Sequence, residues 1–282
     1  MLQPSSIIGP PGGWGRQKPP CGVGLDPGHP LTRGLVAFWT LNEGAGRVVR
    51  SSRGVFGALT GNAKWANTSR GVVADFDGPT PGTSALATGV YCSLGTAERP
   101  DFSMFALIYP RSLAYYGSIM SDQVNVADSS IRTMFYFSAA KGLRVDVGNG
   151  TSYTVCVADD ILVTNSWQAV GFTRRNGVGQ FYLNGLPVGT PTACTTLAPA
   201  AVVPWSLGRM CDSGFTTGYA NMQLAAAGIW NVGLSSESMR LLYALPYCMH
   251  EGSATPMRPE GIVRPLIDGS LIPDSQLMGA TA

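Results

Sequence analysis

Two Asn-Gly pairs lie within ten residues of each other, at Asn176-Gly177 and Asn184-Gly185. A type I′ turn needs φ > 0 at both central residues, so Asn-Gly is a strong short-range signal for a β-hairpin. The segments that the pairs separate, 167–175 and 178–183, are rich in the aromatic and β-branched residues that favour strands. This stretch therefore predicts a three-strand antiparallel meander that continues into 186–190.

Both faces of the predicted meander carry large apolar side chains. Phe172 and Phe181 fall on one face, and Trp167 and Tyr182 fall on the other. A strand that is apolar on both faces is covered on both faces, as is typical of the centre of a sandwich.

The rest of the chain repeats short strand-like segments at intervals of roughly ten residues, which is the pattern of a β-sandwich or barrel. The 36 glycines and 20 prolines fit tight turns between them, and a hydrophobic content of 45% is sufficient for a large core. The strands are expected at 34–46, 71–78, 90–94, 102–109, 116–121, 131–138, 143–147, 152–157, 204–209 and 222–231, and the stretch before residue 71 is expected to be rich in turns.

One helix is expected after the last strand. Ser235 is a suitable N-cap residue, Met239, Leu242 and Tyr243 recur at helical spacing as one apolar stripe, and Pro246 ends the pattern.

Both ends of the chain differ in composition from the segment between them. Residues 1–33 and 246–282 are rich in proline, which favours extended, irregular backbone. We therefore expect a single domain at 34–245 with an extended arm at each end. Such an arm is either a flexible tail or a strap lying on a neighbouring molecule, and we favour the strap.

The charge balance argues against nucleic acid as a partner. Charged residues make up 13% of the chain and the net charge is +2, which provides no basic surface for nucleic acid. So few charges suggest that part of the surface is buried in a homo-oligomer or against other proteins, or that it contacts extended polar ligands.

The N-terminus lacks a basic segment followed by an apolar run, and no apolar run is long enough for a membrane span. We expect synthesis in the cytoplasm without a secretory signal.

Six widely scattered cysteines form no C-x-x-C pair. We expect buried free thiols, with a pair such as Cys156 and Cys194 as the alternative.

Several segments together resemble the laminin-G-like, concanavalin A-like jelly-roll family. In order they are GLVAFWTLNEGAG, ADFDG, FYLNG, SLG and AAAGIWNVGLSSESMRLLYA, which span roughly 34–245. One departure from the family pattern is the helix start LSSES, where Glu237 falls one place early. The resemblance implies an all-β, antiparallel jelly-roll sandwich.

The leader carries a narrower resemblance. GWGRQKPP followed by GHPLTRGLVAFW is similar to the N-terminus of laminin-G-like proteins found among tailed-bacteriophage structural genes. This resemblance implies a virion location and arms that fasten the protein to other virion proteins.

Glycoside hydrolases of this fold need two carboxylates flanking the scissile bond, and none of the five glutamates stands in such a motif. His29 and His250 lie in the two arms, away from any Ser or Cys nucleophile signature, so we expect no enzyme and no cofactor.

Binding sites are the remaining alternative. Calcium would need oxygen ligands in loops, and Asp122, Asp128 and Asp212 are the candidates. A glycan would need exposed aromatic rings beside polar groups, for which Trp65, Tyr115 and Tyr116 are the candidates, although each could instead cap a sandwich edge.

From the sequence we therefore expect a non-enzymatic bacteriophage virion protein, a capsid decoration or tail-associated component that assembles through its arms and sheet edges. The alternative is a carbohydrate-binding, lectin-like module of a receptor-binding appendage that contacts cell-surface glycan.

Overall fold

The computed structural model describes residues 17–54, 56–77, 84–91, 101–113, 116–122, 133–138, 140–148, 153–194, 204–209 and 218–252. These residues form two antiparallel sheets of eight strands each. Among them, no helix has the length and apolar character needed to cross a membrane.

Sheet 1 begins with the three strands of the meander. From edge to edge it contains β14 (Leu186–Ala193), β13 (Val178–Leu183), β12 (Gln168–Arg175), β7 (Phe102–Pro110), β16 (Asn221–Trp230), β5 (Gly71–Asp77) and β4 (Lys64–Thr68), and β1 (Leu35–Trp39) also pairs with β16.

Sheet 2 faces sheet 1 across the core. From edge to edge it contains β11 (Tyr153–Ala158), β10 (Leu143–Gly148), β9 (Thr133–Phe137), β8 (Gly117–Ser121), β15 (Pro204–Leu207), β6 (Ser84–Tyr91), β3 (Phe56–Gly61) and β2 (Val48–Arg50). The predicted antiparallel β-sandwich is confirmed.

The meander has the geometry that its sequence predicts. Asn176 and Gly177 have φ of 51° and 75°, and Asn184 and Gly185 have φ of 49° and 78°. These positive values at both central residues are those of a type I′ turn. The pairing of Phe172 with Phe181 places both rings in the core between the sheets.

The strands β2, β3 and β4 contradict the expected turn-rich stretch. They are short, and they lie at or next to sheet edges, where many of their side chains are exposed. An edge strand needs no continuous apolar pattern, so these segments lack the signal that marks the central strands.

A second, smaller core covers the outer face of sheet 1. The helix α1 (Ser236–Ala244) buries Met239 and Leu242 there, together with the buried residues Tyr247, Cys248 and Met249. Ser235 is the N-cap, since its side chain accepts the Ser238 backbone N–H, as predicted. Tyr243 was expected in the buried stripe, but it is 47% exposed, because the stripe that contacts the sheet is narrower than the sequence pattern.

The terminal segments, as far as they are described, pack on the domain of their own chain. Leu25 and His250 form an antiparallel bridge, flanked by hydrogen bonds from Asp26 N to Met249 O and from Glu251 N to Gly24 O. We call this pairing of 24–26 with 249–251 the terminal clamp. Residues 1–16 and 253–282 lie outside the described residues.

The segment before β1 is further held to sheet 1 by its buried groups. Leu31 is buried in the second core, and its carbonyl accepts the indole N–H of Trp230 at 2.7 Å. The Lys18 ammonium donates to the carbonyls of Leu41 and Val72, and burial lowers its pKa to about 7.

Candidate functional site

An aromatic and polar cluster lies on the outer face of sheet 2, where β8, β9 and β10 run side by side. Side chains of adjacent residues in a strand point to opposite faces. Phe135 and Phe137 therefore enter the core while Tyr136 points outward, and Arg144, the register partner of Tyr136 on β10, also points outward. We call the cluster the Tyr116 patch, and its members are Tyr116, Ser118, Tyr136, Arg144 and Asp146.

Tyr116 gives this patch its exposed aromatic surface. Its side chain is 49% exposed, and its ring stands edge-on to the ring of Tyr136 with centroids 5.9 Å apart. The guanidinium carbon of Arg144 lies 5.9 Å from the centroid of the same ring. Contacts of both kinds restrict the orientation of the ring, so Tyr116 offers a fixed, half-exposed platform.

Asp146 is the buried carboxylate of the patch. The hydroxyl of Tyr136 donates to its two oxygens, at 3.1 and 3.3 Å. Burial raises the pKa of Asp146 to about 6, against the opposing effects of the Tyr136 hydrogen bond and the Arg144 charge. Burial and the neighbouring carboxylate likewise raise the pKa of Tyr136. A carboxylate kept in an environment that disfavours its charge is typical of functional sites.

Two polar atoms of the patch have unused hydrogen-bonding capacity. Within the described part of the chain, Ser118 Oγ and Arg144 Nε are buried and have no hydrogen-bond partner. Ser118 is the β8 residue opposite Tyr136, so both atoms lie beside the tyrosine pair. Buried polar atoms without partners cost about 1–3 kcal/mol each, and a ligand or water that pairs with them recovers that free energy.

The sequence also matches a known family. The model of the concanavalin A-like lectin/glucanases superfamily, Laminin_G_3, matches residues 83–239, more than half of the chain. The chain belongs to this superfamily. The superfamily includes both lectins and glucanases, so membership alone does not distinguish a binding protein from an enzyme. The residues of the site have to be considered for that distinction. A search of curated proteins found no match.

Solved structures with the same fold are distant in sequence. A Trypanosoma rangeli sialidase in complex with 2,3-difluorosialic acid matches with a TM-score of 0.54 and 15% identity, over 77% of this chain and 34% of the sialidase. The binding domain of Paraclostridial Mosquitocidal Protein 1 matches with a TM-score of 0.56 and 11% identity, over 74% of this chain and 52% of that one.

A third structure is covered almost completely by this chain. Domain 4 of AbnA, a GH43 extracellular arabinanase from Geobacillus stearothermophilus, in complex with arabinotriose, matches with a TM-score of 0.54 and 15% identity, over 74% of this chain and 98% of that one. At such identities the similarity establishes the fold. The chain spans about a third of the length of the sialidase.

The predicted glycan-binding residues have different positions in this superfamily fold. Tyr116 lies in the patch, whereas Tyr115 lies outside the described residues. Trp65 on β4 packs against the core, and its indole N–H donates to Gly46 O at 3.0 Å. This contact fits the alternative considered for Trp65, a cap on a sandwich edge.

The predicted calcium ligands are not brought together by the described residues. Asp122 is 3% exposed and accepts the Thr133 backbone N–H at 2.8 Å, where it joins the ends of β8 and β9. Asp128 and Asp212 lie outside the described residues. Among the residues that are described, no three His, Cys, Asp or Glu side chains are grouped as a metal site would need. Calcium binding stays a prediction.

His250 is buried next to a serine that is distant in the sequence. Its Nδ1 contacts Tyr247 O at 3.1 Å, and its Nε2 contacts Ser52 Oγ at 3.1 Å. A carbonyl only accepts, so Nδ1 carries the proton and the Ser52 hydroxyl donates to Nε2. Burial lowers the pKa of His250 to about 4, which makes it too weak a base to activate a serine near neutral pH. We interpret the pair as a contact that holds the terminal clamp to the rest of the domain.

Tyr136, Arg144 and Asp146 of the Tyr116 patch were not predicted from the sequence. The signal was present as polar residues alternating with apolar ones in MFYF and LRVDV. Alternation gives the face of each residue, but only the pairing of β9 with β10 shows that these three side chains meet beside Tyr116.

Proposed function

We propose that this chain is a non-catalytic, lectin-like domain that binds a glycan at the Tyr116 patch. The observation that carries the proposal is a half-exposed tyrosine ring fixed beside a buried carboxylate that is ionised at a cost in free energy. The structural similarity to binding domains, including one in complex with arabinotriose, supports the same class of function.

Each group of the patch has a role in such binding. The Tyr116 ring stacks on the apolar face of a sugar, as aromatic side chains with one exposed face do at binding sites. Arg144 is partly exposed, and its guanidinium donates hydrogen bonds to sugar oxygens. Asp146 acts through Tyr136, because its carboxylate is buried and fixes the tyrosine hydroxyl rather than facing solvent.

The described residues of the patch include one carboxylate, which favours binding over hydrolysis by the common mechanism. Most glycosidases use two carboxyl groups about 5–10 Å apart. Among the described residues that make up the patch, Asp146 is the only acidic one. We therefore expect no release of reducing sugar from any glycan that the protein binds.

A glycan array followed by titration of the best ligand tests the proposal. Replacing Tyr116 with alanine should weaken the affinity at least about tenfold, because the stacking surface is lost. Tyr243→Ala is the matched control, since Tyr243 is 47% exposed but lies on α1, which covers the opposite sheet. Equal loss in both variants, or none in Tyr116→Ala, would contradict a site at the patch.

A second candidate function is a bacteriophage virion structural protein, as a capsid decoration or tail-associated component. The resemblance of the leader and the low content of charged residues support it. The described parts of both terminal segments pack on their own domain, so for this candidate we expect contacts with other virion proteins, or within a homo-oligomer, from residues 1–16, residues 253–282 or the sheet edges.

Deletion of residues 1–16 tests this second candidate. The deletion leaves Lys18, the terminal clamp and Leu31 in place, so the domain should fold with its thermal stability unchanged. Incorporation into particles should nevertheless fall. Normal incorporation of the shortened protein would contradict a role for this leader in assembly.

A further inference from the structure

Cys156 and Cys194 bring their sulfur atoms together at the point where the two sheets meet. Their Sγ atoms are 2.8 Å apart, closer than two thiols in ordinary van der Waals contact. Cys156 lies on β11, the edge of sheet 2, and Cys194 directly follows β14, the edge of sheet 1. Both are free thiols in this structure.

Glycines allow these two edges to approach each other. A Cβ on Gly189 of β14 would lie 2.9 Å from the Cβ of Ala158 on β11. A Cβ on Gly179 of β13 would lie 2.7 Å from Cys194 Sγ itself. A side chain at either position would force the edges or the sulfur atoms apart, so the close approach of the thiols is part of the fold.

We propose that Cys156 and Cys194 form a disulfide that joins the two sheets covalently when the protein meets an oxidising environment. The bond is about 2 Å long, so the sulfur atoms need to move by less than an ångström to form it. No hydrogen-bonded ladder connects sheet 1 to sheet 2 at these edges in the described residues, so the disulfide would provide a direct link there.

The surroundings of the thiols determine the order of the reaction. A hydrogen bond from Cys156 lowers the pKa of Cys194, and the Arg174 guanidinium acts in the same direction while burial opposes both. The same hydrogen bond, together with burial, raises the pKa of Cys156. Cys194 is half-buried and Cys156 is fully buried, so Cys194 is both the more readily ionised and the more accessible thiol.

With a small disulfide such as oxidised glutathione as the oxidant, the exchange has two steps. The Cys194 thiolate attacks one sulfur of glutathione disulfide, forms a mixed disulfide and releases one glutathione thiolate. The Cys156 thiol then loses its proton and attacks Cys194 Sγ, which forms the protein disulfide and releases the second glutathione. Two protein thiols are oxidised and one glutathione disulfide is reduced to two thiols.

In the test, the folded chain of 282 residues is treated with oxidised glutathione, and its peptides are then mapped without reduction. We expect the peptides containing Cys156 and Cys194 to be joined, with the loss of two hydrogens. The midpoint of thermal unfolding should rise by about 5 to 10 °C, since the bond closes a loop of 38 residues, and dithiothreitol should reverse the rise. Cys194→Ser should abolish both effects.

Cys21→Ser is the matched control, because Cys21 is exposed and lies in the N-terminal segment away from the pair. This variant should form the link and gain stability as the parent protein does. A mixed disulfide that persists on Cys194, or a link from Cys156 to any other cysteine, would overturn the proposal. The peptide map of the unsubstituted chain decides this even if a serine variant fails to fold.

Discussion

At the scale of single residues, the ionised form of Asp146 costs folding free energy near neutral pH. Its pKa is raised from an ordinary value of 3.8 to about 6 by burial. The protonated form is thus the one that the fold favours, and its contribution to stability is complete below about pH 4 and is lost as the pH rises through 6. A group that lowers stability and lies beside a half-exposed aromatic ring is typical of function rather than of packing.

Replacing Asp146 with asparagine should therefore stabilise the protein at pH 7. The asparagine side chain still accepts from the Tyr136 hydroxyl, but it removes the buried charge, so we expect a gain of about 1–2 kcal/mol in the free energy of unfolding. Urea unfolding at pH 7 and at pH 4.5 measures this gain, which should largely disappear at the lower pH. Asp159→Asn, at an exposed aspartate, is the matched control and should leave the free energy of unfolding at pH 7 nearly unchanged.

The residues of the Tyr116 patch were only partly predictable from the sequence. Tyr116 was a candidate because exposed aromatic residues beside loops can stack on sugars, and the structure shows that it is exposed, while glycan binding there stays a prediction. Tyr136, Arg144 and Asp146 could not be predicted, since their meeting depends on the register between β9 and β10. Likewise, nothing local to His250 indicates that it lies beside Ser52, from which it is separated by 198 positions.

At the scale of elements, the two Asn-Gly turns of the meander have different surroundings. A Cβ added at Gly177 would point toward open space, where the nearest atom is Arg174 Nη2 at 4.0 Å. Gly185 lies under α1, where a Cβ would come within 3.0 Å of Arg240 Cα and 3.1 Å of Tyr243 Cβ. The second turn is therefore also the point where the helix rests on sheet 1.

Alanine substitutions at Gly177 and Gly185 separate two free-energy costs, that of a strained turn and that of displacing α1. Gly177→Ala should destabilise the protein by about 1–2 kcal/mol, because φ is 75° and a residue with a Cβ is strained there. Gly185→Ala has the same strain, with φ of 78°, and must also displace α1, so its loss should be clearly larger. Equal losses in chemical unfolding would show that the helix contact contributes nothing.

The central elements could be predicted and the edge elements could not. The strands of the meander, β7 and β16 are apolar on both faces or end in turns with a specific sequence, so local pattern was sufficient. The strands β2, β3 and β4 lack such a local pattern and are recognised only by their pairing with other strands. The described parts of the terminal segments are likewise positioned by their contacts with the domain. Composition alone does not indicate these contacts.

At the scale of the whole molecule, two buried histidines lie where the described parts of the terminal segments pack on the sandwich. His29 accepts the Leu31 N–H and is 3% exposed, while His250 in the terminal clamp is 1% exposed. Burial lowers the pKa of both, and the two rings are close enough for a charge on one to disfavour a charge on the other. The neutral form of each is the one that the fold favours.

Acid should therefore weaken the attachment of both segments. The pKa of His250 falls from 6.5 to about 4 on folding, so its contribution is complete above about pH 6.5 and is lost as the pH falls toward 4. Between pH 7 and pH 4.5, the parent protein should lose about 2–3 kcal/mol more than His250→Gln, whose amide stays neutral. Urea unfolding at both values measures this difference, and an equal loss in the two proteins would contradict the interpretation.

The direction of pairing in the terminal clamp determines how the molecule responds to tension. Because Leu25 and His250 pair antiparallel, the chain leaves both partners on the same side of the bridge, next to Gly24 and Glu251. A force applied between the two ends of the chain would open the contacts one after another, as a zipper opens, instead of loading them together. The clamp would therefore yield before the sandwich does, and a tether built on these ends would lengthen while the patch on sheet 2 stayed folded.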